Sequence, residues 1–161
     1  MSDNDAKIIR HKLTRLLSRR EHSQTELRTK LAELALDPEL VNTMITKFAE
    51  KDIQSDSRYA EAVVRGAYRK GKGPIIIKRD LGNHDIDFAL IQTLLNDADF
   101  DWFESSKAVR IKRFGDDLPD EWAVKQKQMR FLQYRGFSYD QIKYALAGCL
   151  DESAGEADFF D

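Results

Sequence analysis

The sequence predicts an all-α protein: three tandem three-helix repeats forming an elongated, curved molecule. Three observations predict it. Apolar residues recur at helical spacing through almost the whole chain, and no stretch sustains the alternation of a half-buried strand. Helix punctuation falls between those apolar stripes, with Ser or Asp before them, Pro at first helical positions and Gly after last ones. A four-part pattern also returns about every 50 residues. In it Leu31, Leu81 and Leu132 correspond, as do Leu36, Ile86 and Phe137, the caps Asp37, Asp87 and Ser138, and the apolar residues Val41, Ile91 and Ile142. An apolar residue before the cap facing one at the fourth helical position is a hydrophobic staple, which fixes the angle at which the chain joins the helix.

Taken in order, Ala6 to Arg20 places Ile9, Leu13, Leu16 and Leu17 on one face and Lys7, Arg10, Lys12, Arg15, Arg19 and Arg20 around the rest, an amphipathic helix. Ser23-Gln-Thr-Glu26 is a capping box that opens a second helix carrying Leu27, Leu31 and Leu34. Asp37-Pro38-Glu39 starts a third, whose buried stripe is Val41, Met44, Ile45 and Phe48. In the second repeat, Ser55, Asp56 or Ser57 caps a helix through Tyr59, Ala60, Val63, Val64 and Ala67. Pro74 begins the next, and Phe88, Ile91, Leu94 and Leu95 mark the last. In the third repeat, Trp102, Val109 and Ile111 belong to the first helix, residues 115–119 make a turn, and Trp122, Met129, Phe131 and Leu132 mark the second helix. Gly136 ends that helix, and Ile142, Tyr144, Ala145, Leu146 and Leu150 complete the third, with Cys149 on it. The predicted divisions are residues 1–52, 53–97 and 98–150, followed by an acidic tail, 151–161. Units of this size bury little core alone, so each is expected to lean on its neighbour along a line.

With 34% charged and 42% hydrophobic residues, the chain buries a core under a heavily charged exterior. Its formal net charge of −2 disfavours a free-standing DNA binder, so any nucleic-acid contact must come from a segregated patch. Cys149 is the single cysteine, which excludes an internal disulfide and a thiolate metal cage. No apolar run reaches spanning length and no signal-peptide pattern opens the chain, so a cytoplasmic location is expected. His11, His22 and His84 show no metal-ligand spacing of the H-E-x-x-H kind, and G-K-G-P at 71–74 lacks the context of a phosphate loop. Asp116 and Asp117 read as turn residues. The chain is therefore read as a non-enzyme without metal or cofactor.

The strongest binding candidate is the corner from Val64 to Leu81. Arg65, Arg69, Lys70, Lys72, Lys78 and Arg79 crowd there around a Gly-Lys-Gly turn, and no acid intervenes before Asp80. Gly71 and Gly73 supply the φ freedom of a helix end, and Pro74 fits a first helical residue because its missing N–H would be unpaired there anyway. The ordinary reading of such a run is a solvated helix face; the missing acids and Tyr68 among the cations favour a binding surface. Arg110, Lys112, Arg113, Lys125, Lys127, Arg130 and Arg135 form a second, weaker cluster, with Glu104, Asp116, Asp117, Asp120 and Glu121 nearby. Trp102 and Trp122 read as core anchors.

Asp56-x-Arg58-Tyr59-Ala60, then Arg65, Arg69, G-x-G-P at 71–74, Ile77 and Leu81, followed by Arg135-Gly136-Phe137-Ser138-Tyr139-Asp140-x-Ile142-x-x-Ala145-Leu146, resembles the RecX family of regulatory proteins. Ser23-x-x-Glu26-Leu27-x-x-Lys30-Leu31 fits the family's opening, so the likeness runs from about Leu13 to Leu146. It implies a cytoplasmic bacterial modulator of the RecA recombinase, acting in homologous recombination, DNA repair and the SOS response. Such a protein would bind in the groove of the RecA filament on single-stranded DNA and restrain its ATPase, strand-exchange and coprotease activities. The implied partners are RecA and single-stranded DNA, with duplex DNA as a further candidate; no membrane is involved and a monomer is expected. Arg58, Arg65, Arg69, Lys72 and Arg135 occupy matching basic positions. One departure is Asp85 before Ile86, where the family often has glycine; Asp tolerates the left-handed conformation and makes that surface more acidic. The rival reading is a helix-turn-helix DNA-binding regulator. It would need a recognition helix rich in Arg, Asn or Gln, and residues 87–96 are too apolar and acidic for it.

Overall fold

In a computed structural model that describes residues 2–149, those residues form helices α1 (Ser2–Arg19), α2 (Gln24–Leu31), α3 (Pro38–Glu50), α4 (Asp56–Arg69), α5 (Pro74–Asn83), α6 (Phe88–Leu95), α7 (Trp102–Phe114), α8 (Trp122–Tyr134) and α9 (Tyr139–Ala145). A short 3-10 turn, Ala32–Leu34, follows α2, and no strand occurs among the described residues. The predicted tail and Leu150 lie outside them. The described residues fall into two compact units, 2–63 with Leu81–Leu94 and Val64–Asp80 with 95–149, so the division runs through the second three-helix segment.

The punctuation forms as the sequence dictates. Ser23 and Ser138 each make a full capping box, with Glu26 and Gln141 as the reciprocating residues. The Asp37 side chain accepts from Glu39 N–H ahead of Pro38. Ser55 is the cap of α4, its Oγ accepting from Arg58 N–H at 3.1 Å. In the first unit, Ile9, Leu13, Leu27, Leu31, Val41, Met44, Ile45 and Phe48 form one buried cluster where α1 and α2 pack on α3. In the second, α7 packs chiefly on α9, and the buried cluster is Met129, Leu132, Phe137, Ile142, Ala145 and Leu146.

Several apolar residues depart from the expected stripes. Phe88 and Trp122 are exposed, each being the first residue of its helix and so a turn short of the buried stripe. Tyr144 is also exposed, and its hydroxyl donates to Glu104. Trp102 is buried as expected, donating from Nε1 to the Leu95 carbonyl at 2.8 Å. Helix α9 stops at Ala145, because Ala147 takes φ +50° and Gly148 N–H turns back to the Lys143 carbonyl. Cys149 therefore lies beyond the helix, packed against the second cluster.

Within the second unit, the two glycine-bearing turns are docked backbone to backbone. Helix α4 ends in a Schellman motif: Gly71 sits at φ +78°, its N–H bonds the Tyr68 carbonyl, and Lys72 N–H bonds the Ala67 carbonyl. Helix α8 ends likewise at Gly136, φ +97°, with Phe137 N–H on the Leu132 carbonyl. Between the turns, Gly73 N–H donates to the Arg135 carbonyl at 2.7 Å and Ile75 N–H to the Gly136 carbonyl at 2.9 Å. Two of the unpaired donors at the start of α5 are thereby satisfied by another helix's end. Gly73 is needed for this approach and not for its φ, since a Cβ there would stand 2.4 Å from the Gly136 carbonyl carbon and oxygen.

Gly73→Ala should destabilise the protein by about 1–3 kcal/mol, the usual cost of forcing atoms into a filled space. Gly82→Ala, where a Cβ meets nothing within 4 Å, should be neutral or stabilise by up to about 1 kcal/mol through helix propensity. Urea midpoints of the two variants compared with the parent check both.

A pH dependence follows from His22, which is buried with Nδ1 3.1 Å from the Arg20 carbonyl. Burial, reinforced by the Arg20 charge, holds its pKa below the ordinary histidine value. The unfolded chain therefore takes up the proton first as pH falls. Stability is full above about pH 6.5 and declines below it as pH approaches the lower folded-state pKa. Unfolding free energy measured from pH 7 to about pH 5 should fall, and His22→Gln should show a shallower slope; equal slopes would exclude the effect.

Candidate functional site

Seven of the eight basic residues singled out by sequence lie in the second unit: Arg65, Arg69, Lys70, Lys72, Lys78, Arg79 and Arg135. Arg58 lies in the first. There it pairs with Glu21 at 2.8 Å and Asp52 at 3.1 Å and donates to the Asp52 and Ile53 carbonyls, which places it in the joint between α3 and α4. Those hydrogen bonds, Glu21 first, raise its already high pKa, so its charge is permanent and engaged.

Three elements of the second unit enclose a cleft of about 500 Å³. The end of α4 and its turn contribute Tyr68, Arg69, Lys70 and Gly71; α7 contributes Ser105, Ala108, Val109, Lys112 and Arg113; Phe131 on α8 and its cap residue Arg135 close it. The two basic stretches that the sequence keeps apart thus meet on one surface. No Asp or Glu lines the cleft among the described residues. Of the acids near the second cluster, Asp116, Asp117, Asp120 and Glu121 lie in or beside the exposed loop after α7 and Glu104 lies in the first turn of α7, and none of them lines the cleft. Arg65, Lys72, Lys78 and Arg79 stand outside the cleft, and Arg79 lies 3.8 Å from Asp80 in an exposed pair.

Arg135 holds the site together. Its Nη2 donates to the Lys70 carbonyl at 2.5 Å and its Nε to the Gly71 carbonyl at 3.3 Å, neutralising the negative end of α4 with a cation. Its guanidinium stands 5.9 Å from the Phe131 ring centroid, and that of Arg113 stands 5.7 Å from the same ring. Phe131 is thus flanked by two guanidinium groups and meets Phe114 edge-on at 5.3 Å. Tyr68, expected as an aromatic at a wet interface, packs edge-on against Phe100 and Trp102 at 5.0 and 5.2 Å, and its hydroxyl accepts from Asp101 N–H at 3.4 Å. One side of it is structural while it still lines the cleft.

Arg110 departs most from the sequence reading. It is 1% exposed, and its guanidinium donates to the Ala145 carbonyl at 2.8 Å and to the Gly115 and Asp117 carbonyls at 3.4 Å. The cation caps the end of α9 and ties down the loop after α7. Phe131 was expected only as a residue of the second helix of the third repeat, and neither its place in the cleft nor the pairing of Arg113 with it was anticipated. The spacing Ser105, Ala108, Val109, Lys112 marks one face of α7, but the surface that face would meet is not written in the spacing.

Comparison with known proteins agrees with this architecture. Residues 10–48, 55–95 and 100–146 match the family models described as the first, second and third three-helix domains of RecX. A regulatory protein RecX of Halorhodospira halophila is 37% identical over 147 residues, 91% of each chain. The chain belongs to the RecX family. A second RecX relative, from Acinetobacter baylyi, is 42% identical over 131 residues, 81% of each chain. The crystal structure of RecX from Lactobacillus salivarius superposes with a TM-score of 0.73 at 25% identity, covering 91% of this chain and 97% of that one. Another RecX crystal structure, at 22% identity, shares the fold with a TM-score of 0.75, covering 91% and 73%. The relatives are named as regulatory proteins, which fits a role other than catalysis. No helix of the described residues is long and apolar enough to cross a membrane.

Arg110→Met should lower stability by about 2 kcal/mol or more, since it strands buried carbonyls. Arg113→Ala, exposed in the cleft wall, should change the unfolding free energy from urea titration by no more than about 0.5 kcal/mol. Equal losses in the two variants would show that the arginines share one role.

Proposed function

We propose that this RecX-family chain binds the RecA filament on single-stranded DNA and restrains its ATP hydrolysis, strand exchange and coprotease action, as a cytoplasmic monomer. Family membership supplies the regulatory role. The observation that carries the contact is the acid-free cleft built from Arg69, Lys70, Lys112 and Arg113 around the Phe131 ring. A near-neutral chain cannot compete for nucleic acid by overall charge, so concentrating cations on one surface gives it an anion-directed contact while keeping non-specific binding low. In a filament, phosphates and acidic side chains are both within the chemistry such a cleft accepts. Guanidinium groups suit them best, because a planar fork donates two hydrogen bonds at once.

Titrating the chain into single-strand-dependent ATP hydrolysis by RecA, at two salt concentrations, tests the reading. Inhibition at substoichiometric ratios is expected, weakening at higher salt. The double substitution Arg69→Ala with Arg113→Ala should require about tenfold more protein for the same inhibition, equivalent to ~1.4 kcal/mol, with unchanged circular dichroism. No inhibition by the folded parent would refute the proposal. Inhibition undiminished in the variant would remove the contact from the cleft.

A further inference from the structure

The first unit carries a basic surface that the reading above does not use. On α1, His11, Arg15 and Arg19 repeat at every fourth residue and line one wall of a cleft of about 440 Å³, with Lys30 of α2 on the other. A rise of about 1.5 Å per residue places successive members of the row about 6 Å apart. That is the scale on which phosphates follow one another along an extended strand. His11, Arg15 and Arg19 are exposed, and none has an acidic partner among the described residues.

Two features would oppose an anion, and Lys12 stands against both. Glu33, the one acid in the wall, is paired with Lys12 at 3.4 Å. The same Lys12 Nζ donates to the Lys30 carbonyl at 3.1 Å, covering the negative end of α2 that faces the cleft. After this pairing the cleft retains the Arg15 and Arg19 guanidinium groups and the Lys30 ammonium as uncompensated charge.

We propose that the His11, Arg15 and Arg19 row, with Lys30 opposite, is a second phosphate site that tracks the backbone of single-stranded nucleic acid without reading its bases. The chain then holds nucleic acid through its first unit independently of the cleft in its second. Geometry and charge specify a phosphodiester strand, because the row offers fork-shaped donors at strand spacing and no edge-reading amide side chain.

Fluorescence anisotropy of a labelled homothymidine oligonucleotide against the full chain, over a salt series, tests this without RecA. Arg15→Ala with Arg19→Ala should flatten the slope of log K against log salt by about 1.4, two contacts at about 0.7 each for a single strand. Arg15→Lys with Arg19→Lys should keep most of the slope. A charge-matched control, Arg10→Ala with Lys47→Ala, removes two exposed cations of the same unit away from the cleft and should leave the slope nearly unchanged. An unaltered slope in the row variant, or an equal loss in the control, would overturn the proposal. Since RecA is absent from this assay, a chain that fails to inhibit RecA can still pass it, and the reverse also holds.

Discussion

The backbone docking of residues 73–75 on residues 135–136 is the constraint from which the basic cleft follows. Two helix ends are normally awkward to bring together, because each presents unpaired groups that must find a partner. Here the start of α5 presents N–H groups, and the end of α8, including its cap residue, presents carbonyls. The Arg135 and Gly136 carbonyls accept from Gly73 and Ile75, so each end satisfies the other. The same turn aims the Arg135 side chain at the Lys70 and Gly71 carbonyls, the end of α4. Three helix termini are thereby fixed by one short contact. The walls of the cleft are what lies beside it.

Cations in this chain do two kinds of work, and the backbone carbonyls within their reach decide which. Arg58, Arg110 and Arg135 spend their donors on backbone carbonyls at helix ends or in loops. A guanidinium suits that work because it offers several N–H groups in a fixed plane and stays charged when buried. Arg69, Lys70, Lys112 and Arg113 remain exposed around a cleft without acids. The net charge of −2 thus conceals both a set of cations engaged with backbone carbonyls and an exposed set gathered around one cleft.

The elements were legible in the sequence because their signals are local. The caps Ser23, Asp37 and Ser138, the Pro74 helix start and the Gly71 and Gly136 helix ends each act within a turn of chain. The site was legible only in part. Arg69 and Lys70 stood out by their run of charge, yet Lys112 and Arg113 looked diluted by acids that the fold keeps off the cleft wall. Arg110 looked like one more surface cation, because its neighbours in sequence do not show that Ala145, 35 residues on, presents a carbonyl to it. Trp122 misled in the opposite direction: its size argues for burial, but as the first residue of α8 it precedes the buried face.

The three repeats answer one local question in three ways, which separates the two reasons a glycine can be required. Ala35, Asp85 and Gly136 stand at the same place, just before Leu36, Ile86 and Phe137, and all three take positive φ, at +53°, +58° and +97°. The left-handed conformation costs a non-glycine residue roughly 1–2 kcal/mol, a strain that a well-packed turn can absorb. Ala35 absorbs it where Ala35 N–H bonds the Ala32 carbonyl. Asp85 offsets it with a hydrogen bond from the Thr25 hydroxyl at 2.9 Å, a polar contact glycine could not accept. Gly136 has no such latitude. A Cβ there would stand 2.7 Å from Ile76 Cγ1 and 2.9 Å from Ile76 N, in the space α5 needs to reach the turn. The positive φ admits alanine or aspartate in the first two repeats. Only in the third, where another helix docks on the turn, does close approach make glycine obligatory.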